Sequence, residues 1–345
     1  MAGITRNKRL CLVTRIPGVA GPASFQRRLA FGLAKRDVDV CFHLADLPYD
    51  AILVTGASRR VFSLGRARRA GYRIVQRLDG INWIHRRRRT GLRHILRAEA
   101  NNLLLRWTRD HLADVIVYQS QFVRQWWERE YGRARIPSTV IHNGVPLDLY
   151  SPAPASLRSG DVRKVLVVEG NLAGGYEGGL DAAVGLVEGL EKAGGSPAEL
   201  AVAGKISERS RAELERRSRI GVRWLGLVAP ENTPDLYRSA HLLYSADIHP
   251  ACPNSVLEAL ACGLPVVAFD TGALPELVAQ PAGRIVPYGA DPWRLEPPDV
   301  LGLTRAALEI LEQEDVYRSG ARRRAETAFG LDRMVDSYLS VLGWA

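Results

Sequence analysis

Lysine is nearly missing from this chain: five of its 47 basic residues are lysines (Lys8, Lys35, Lys164, Lys192 and Lys205), and the rest are arginine. Cysteine is scarce too. Cys11, Cys41, Cys252 and Cys262 are scattered without the spacing of a zinc site or a disulfide framework. Cys11 and Cys41 fall in apolar, strand-like runs and read as core thiols, and this usage fits a reducing cytoplasm. No stretch of eighteen apolar residues occurs, so no membrane-spanning helix is expected. The apolar run after the basic start MAGITRNKRL is too short for a signal-peptide core and no small-residue cleavage site follows, so no leader is expected. Neither glycine-rich loop carries the G-x-G-x-x-G spacing of a dinucleotide fingerprint, and no Gly-Lys-Ser/Thr follows to make a Walker loop.

What is present suits two full-sized domains. At 345 residues with 46% hydrophobic content, two cores are the natural prior. The formal net charge of +10 gives a surface that attracts anions such as phosphates and acidic lipid headgroups. An arginine bias beside abundant Ala and Gly is also what a GC-rich genome produces.

Short apolar strands alternate with helices along both halves. In the first half, strands are expected at 9–14, 38–44, 51–55, 73–77, 114–119 and 139–142, with helices at 23–35, 92–111 and 122–131. In the second, strands are expected at 164–169, 198–203, 222–225, 242–247, 265–269 and 283–286, with helices at 179–193, 208–217, 234–239, 255–262, 303–312 and one long run over 316–343. Such alternation means parallel sheets covered on both faces. The fold class is therefore α/β, with residues 1–148 as one doubly wound, Rossmann-like domain, the Pro/Ser-rich stretch 149–160 as linker, and 161–325 as a second such domain. The default ligand site is a cleft between them, at the carboxyl ends of both sheets.

The most informative segment is Cys252–Val278, CPNSVLEALACGLPVVAFDTGALPELV. It reads as a short helix, a glycine stop, a buried strand, a glycine turn and a second helix start. The amides of Asn254, Ser255 and Val256 would open the helix and could hold a phosphate. Glu258, one turn in, could accept from sugar hydroxyls. A plainer reading fits the same letters: Ser255 to Glu258 spell a capping box, with Gly263 as C′ stop and Pro265 after it. Gly170 and Asn171 begin a second glycine-rich stretch that can bring backbone amides to an anion as a nest.

Taken together, this segment, Val140-Ile-His-Asn143-Gly144-Val145, Ala113-Asp114-Val-Ile-Val-Tyr-Gln-Ser120 and the Gly18/Gly21 loop after the first strand resemble family 4 glycosyltransferases. The resemblance implies the GT-B fold, with the last helix (326–345) crossing back to the first domain. It implies a retaining glycosyltransferase using a nucleotide diphosphate sugar as donor and a hydroxyl of a glycan or lipid-linked acceptor, as in cell-surface polysaccharide or glycolipid synthesis. It also places Gly18 and Gly21 on the acceptor or the donor phosphate.

The sequence departs from the family pattern in three places. The Glu-x7-Glu motif keeps only Glu258, since the first position holds Pro250; Asp247 or His249 could substitute. The diphosphate clamp loses both cations, its matching text being Glu169-Gly170-Asn171 and Tyr176-Glu177-Gly178. Lys205, after Gly204 at a strand end, is either the replacement cation or a solvated loop lysine. Where relatives carry a reactive-centre His, Leu78-Asp79-Gly80 stands: Asp79 either orients an acceptor hydroxyl or makes a tight turn. Asp79 and His249 are the candidate catalytic residues. No cofactor is expected and no Asp-x-Asp motif serves a metal.

An arginine belt runs from Arg66 through Arg86–Arg89 to Arg97, beside Leu92, Ile95 and Leu96. It reads either as a solvated basic surface or as a peripheral contact with an anionic membrane, on the cytoplasmic side. No aromatic platform accompanies it, so nucleic acid is not an expected partner; Trp126 and Trp127 read as one core ring and one helix–helix ring. The alternative to an enzyme is a degenerate GT-B protein that binds a glycan or a protein partner without transferring sugar, favoured by the lost Glu and clamp cations.

Overall fold

The computed structural model describes residues 7–18, 21–154, 162–172, 178–194 and 196–344. The chain divides into two units, Met1–Gly144 with Leu331–Ala345, and Val145–Gly330.

The first unit runs β1 (Arg9–Val13), α1 (Gly21–Ala34), β2 (Asp39–Cys41), β3 (Ala51–Thr55), α2 (Val61–Arg69), β4 (Arg73–Leu78), a 3-10 turn (Ile84–Arg86), α3 (Leu92–His111), β5 (Val115–Tyr118), α4 (Gln121–Tyr131) and β6 (Ser138–Val140). Its parallel sheet has the order β2-β1-β3-β4-β5-β6. Strands such as β3 are buried at every residue, which is why they read as unbroken apolar runs. Right-handed crossovers place α1 on one face and α2, α3 and α4 on the other. Cys11 and Cys41 are register partners across β1 and β2, both buried and unoxidised, as core thiols.

Three expectations change here. The strand expected over 38–44 stops at Cys41, because the backbone turns at His43, whose amide takes the Asp46 carboxylate. Helix α2 was not expected: only Leu64 and Ala67 are buried, too few to show a period among its arginines. Trp126 and Trp127 are both buried on one short segment: the Trp127 indole donates to the Asp79 carbonyl at 2.8 Å, and the Trp126 ring sits against Gly80.

The second unit runs β7 (Arg163–Asn171), α5 (Gly178–Gly194), β8 (Ala198–Lys205), α6 (Glu208–Arg217), β9 (Val222–Gly226), α7 (Thr233–Ser239), β10 (Leu242–Tyr244), α8 (Asn254–Ala261), β11 (Val266–Phe269), α9 (Leu274–Leu277), β12 (Gly283–Val286), α10 (Val300–Glu312) and α11 (Glu314–Ala328). Its parallel sheet has the order β12-β11-β10-β7-β8-β9.

The single run expected over 316–343 is two helices. It breaks at Phe329–Gly330, where the Phe329 carbonyl accepts from the Val145 amide and Gly330 bridges to Val145. The last helix, α12 (Leu331–Leu342), belongs to the first unit and packs on α1. Val335 lies so close to Gly32 that a Cβ there would meet its Cγ2 at 2.4 Å; Tyr338 stacks near Phe25 at 5.5 Å, and Arg36 pairs with Asp332 and Asp336. Among the described residues no helix is long and apolar enough to cross a membrane, and no group of three or more His, Cys, Asp or Glu is placed to hold a metal ion.

Candidate functional site

The second sheet reverses its winding between β7 and β10. From β7 the chain moves outward to β8 and β9, and from β10 it moves the other way to β11 and β12. Loops diverge at such a switch point and leave a crevice at the carboxyl edge, where doubly wound sheets take ligands. A small pocket lies there, lined on one side by Gly178 and Gly179 at the start of α5 and on the other by Ser245, Ala246, Asp247 and Thr271. Glycine is needed at 179, since a Cβ would stand 2.1 Å from the Ala246 carbonyl oxygen. The Ser245 hydroxyl is buried with no hydrogen-bond partner among the described residues.

Asp247 lines this crevice, and its charge acts on the carboxyl of Glu169. Glu169, near the end of β7, takes the backbone N–H groups of Ala246 and Asp247, tying β7 to the segment after β10. Burial, and then the charge of Asp247, hold the Glu169 carboxyl well above the usual carboxylate range. Burial likewise pushes Asp247 up to about 7, against a backbone hydrogen bond from Ile248 that lowers it. Two half-buried carboxyls that act on each other in this way resist ionising together. A carboxyl that titrates near neutrality in a crevice is a mark of a functional site.

The segment between β10 and α8 is held in an uncommon shape. His249 has φ +63°, in the left-handed region, and its ring stacks on Trp293 with centroids 3.7 Å apart. Gly272, at φ +58°, presses on it so closely that a Cβ would stand 2.5 Å from the Pro250 nitrogen. The Ala273 amide also donates to the Pro250 carbonyl at 2.9 Å.

Helix α8 then opens at Asn254, with Pro253 at the cap position and no side-chain cap. Its first ladder bond runs from the Leu257 amide to the Pro253 carbonyl at 3.4 Å, so the amides of Asn254, Ser255 and Val256 lie ahead of the ladder. Asn254 and Ser255 are half-buried and Val256 is buried. The other end is closed firmly. Leu264 and Gly263 donate back to Ala259 and Leu260 with Gly263 at φ +68°, and Arg322 and Arg318 on α11 donate to the carbonyls of Ala261 and Gly263 at 2.8 and 3.2 Å. Cations at the carboxyl end follow the helix dipole, and the amino end, which no side chain caps, is the end where that dipole favours an anion.

Glu258 does not close a capping box. The helix starts two residues earlier than the box requires, and Glu258 turns inward, 8% exposed, where its Oε2 accepts from the Tyr237 hydroxyl at 2.9 Å. Tyr237 is fully buried, and its own titration is pushed up first by burial and then by the Glu258 charge. A hydroxyl so placed needs an acceptor, and Glu258 supplies it.

The remaining candidates fall at the same carboxyl edge or at the equivalent edge of the first sheet. Gly170 and Asn171 end β7, and Lys205 ends β8 as the register partner of Asn171, with its side chain exposed. Gly204 allows the two ends to approach, since a Cβ there would stand 2.2 Å from the Glu169 carbonyl oxygen. The rest of the glycine-rich stretch, residues 173–177 with Glu177, lies outside the described residues.

Gly18, at φ +101°, is exposed between β1 and α1, and its carbonyl accepts from Arg27 at 2.7 Å; Gly21 opens α1. Gln26 holds this loop by accepting from the Ile16 amide and donating to the Thr14 carbonyl and the Thr55 hydroxyl.

Asp79 follows β4 and makes no tight turn. It is fixed by Arg77, whose guanidinium reaches Asp79 Oδ1 at 2.5 Å and Asn143 Oδ1 at 2.8 Å while stacking on Phe25, and by a hydrogen bond from Gln119. His85 pairs with Glu99 at 2.8 Å.

Sequence reasoning missed the Glu169–Asp247 pairing, the Trp293 stack and the Tyr237 partner of Glu258. The first had a signal: each acid ends an apolar strand run, and strand ends flanking a switch point become neighbours.

Residues 163–313 match the family model of glycosyl transferases group 1. This chain carries a group 1 glycosyltransferase domain. O-antigen chain mannosyltransferase B of Escherichia coli is 33% identical over 112 residues, which are 32% of this chain and 26% of that protein, so the match spans about a quarter of that relative. The structure is similar to sucrose-phosphate synthase from Thermosynechococcus elongatus, with TM-score 0.74 and 16% identity over 99% of this chain and 100% of that one. It is also similar to Anabaena Alr3699/HepE in complex with UDP and glucose, with TM-score 0.69 and 18% identity over 98% of this chain and 100% of that one. At these identities the likeness shows the fold, which is GT-B, as the resemblance implied. The crevice, Glu258 and the amino end of α8 all lie inside the matched glycosyltransferase domain.

Proposed function

We propose that the chain is a retaining glycosyltransferase that moves a sugar from a nucleotide diphosphate sugar to a hydroxyl of a glycan or lipid-linked acceptor, in the synthesis of cell-surface polysaccharide or glycolipid. The observation that carries this reading is that helix α8 begins without a side-chain cap, in the segment that follows the crevice-lining residues Ser245 to Ile248, all within the matched residues 163–313. Support also comes from the mannosyltransferase relative and from the UDP and glucose bound by the Anabaena structure.

The amides of Asn254, Ser255 and Val256 would take the diphosphate, with Gly170 and Asn171 as a second set of backbone contacts and Lys205 as the replacement cation. Glu258, held at one oxygen by Tyr237, would accept from the ribose hydroxyls. His249, its ring plane set by Trp293, would stand at the donor sugar, and Asp79 would orient the acceptor hydroxyl. Gly18 and Gly21 are assigned to the acceptor or donor phosphate. In the reaction the acceptor oxygen bonds to the anomeric carbon, the bond to the phosphate oxygen breaks, the nucleoside diphosphate departs with that electron pair, and the acceptor hydroxyl's proton passes to the departing phosphate oxygen. Stabilising that leaving group is the main chemical task. The enzyme would work on the cytoplasmic side, with the Arg66–Arg97 belt as its peripheral membrane contact.

The test is to incubate the protein with a panel of α-linked nucleotide sugars and simple hydroxyl acceptors and to read the product's anomeric configuration by NMR. An α-linked product is expected. A β-linked product removes retention, and no turnover of any donor overturns the reading.

A further inference from the structure

Helix α3 carries its largest apolar side chains on the wrong side for packing. Leu92, Leu96, Leu103 and Trp107 are 72, 63, 64 and 40% exposed. Their spacing gathers them into a stripe about 60° wide on the helix surface. The opposite side of the same helix, with Ala98, Asn102, Leu105 and Thr108, is buried in the first unit. The stripe therefore plays no part in holding α3 to the sheet.

The charge around the stripe has one sign. Arg93 and Arg97 are exposed along its flank, and Arg87 to Arg89 are exposed just ahead of the helix. The nearby acids are occupied: Glu99 is taken by His85 and Arg86, and Asp110 by Arg106 and Arg109. Helix α2 lies on the same face of the sheet, joined to the end of α3 by an Arg68 hydrogen bond to the His111 carbonyl, and it adds the fully solvated ring of Phe62 and the exposed Arg66.

We propose that this face of α3 docks flat on an anionic lipid bilayer, with the Leu92–Trp107 stripe at the acyl boundary and the arginines on lipid phosphates. This deepens the peripheral placement proposed above by extending it past Arg97 to Leu103 and Trp107, and its test uses no sugar transfer. An apolar stripe flanked by arginine matches a surface that is apolar within and negatively charged at its rim. A second copy of the chain would bring the same arginines against each other, and nucleic acid offers nothing for three solvated leucines. The helix is not apolar enough to span a bilayer, so it would lie on one.

The test is flotation of the full chain with vesicles of equimolar phosphatidylglycerol and phosphatidylcholine, and with vesicles of phosphatidylcholine alone. The wild type should float with the anionic vesicles and stay down with the neutral ones. Leu96→Gln with Trp107→Gln should weaken flotation by about tenfold or more, and Arg93→Gln or Arg97→Gln by about fivefold each. Arg211→Gln, on exposed α6, should change nothing. Because all four positions are solvated, thermal unfolding should match the wild type and separate docking from misfolding. A wild type that ignores anionic vesicles, or a Leu96→Gln/Trp107→Gln variant that floats as well as wild type, overturns the proposal. So does concentration-dependent self-association abolished by that variant, which would assign the face to a second copy.

Discussion

The carboxyl edges of the two sheets are built to one plan and handle charge in opposite ways. At the first, Arg77 is 2% exposed and held by three contacts: it pairs with Asp79, donates to Asn143 and stacks on Phe25, and Asp79 is further held by Gln119. At the second, Glu169 and the crevice-lining Asp247 are driven above the usual carboxylate range by burial. One edge spends its charges on holding itself together. The other holds two carboxyls whose ionisation is disfavoured, a left-handed His249 and a helix end with no side-chain cap, features that cost stability.

The contrast predicts effects of opposite sign. The largest is at Arg77. Arg77→Ala removes the cation paired with the 30%-exposed Asp79, a hydrogen bond to Asn143 and the stack on Phe25, and should cost about 2–3 kcal/mol in urea unfolding, as loss of a charged hydrogen bond with its packing does. Nucleotide affinity measured under folding conditions should be little changed; if stability is untouched, the charges of the first edge do not hold it together.

Asp247 should behave in the opposite sense. Its ordinary value is about 4, so as pH rises from there to about 7 the unfolded chain gives up its proton while the folded chain keeps it. Stability should therefore fall across that window and level off above it, with Glu169 acting in the same direction. Asp247→Asn should flatten the profile and, above pH 7, stabilise the protein on the order of 1–3 kcal/mol. A wild-type stability that rises between pH 4 and 7 would show that burial does not hold the pair protonated.

Much of this was legible before folding, and the limits have physical causes. Strands were readable because parallel sheets bury both faces, so each appears as a compact apolar run; α3 and α6 match their expected ranges outright. Helix α2 was hidden because a two-residue buried stripe carries no period, and the split at Phe329–Gly330 because its partner, Val145, is distant in sequence. At the site, the order of elements from β10 through α8 to β11 was readable from Pro, Gly and apolar runs. What Glu258 bonds to was not: the letters of Ser255 to Glu258 satisfy a capping box, and only the buried Tyr237 hydroxyl decides where the carboxylate turns. The Glu169–Asp247 contact and the His249–Trp293 stack exist only once distant loops are brought to the switch point, and the arginines of α11 that close α8 are indistinguishable by sequence from surface arginines.

The central claim is that the amino end of α8 and Glu258 form a nucleotide-sugar site. Calorimetric titration of UDP-glucose and of other nucleoside diphosphate sugars into the wild type and into Glu258→Gln tests it most directly. Glutamine still offers Tyr237 a carbonyl, so the fold should hold while the charge on the ribose contact is lost. The account predicts that at least one nucleotide sugar binds the wild type and that Glu258→Gln weakens it by about tenfold or more, as loss of a charged hydrogen bond does. Equal affinity in the two proteins, or no binding of any nucleotide to the wild type, would contradict it.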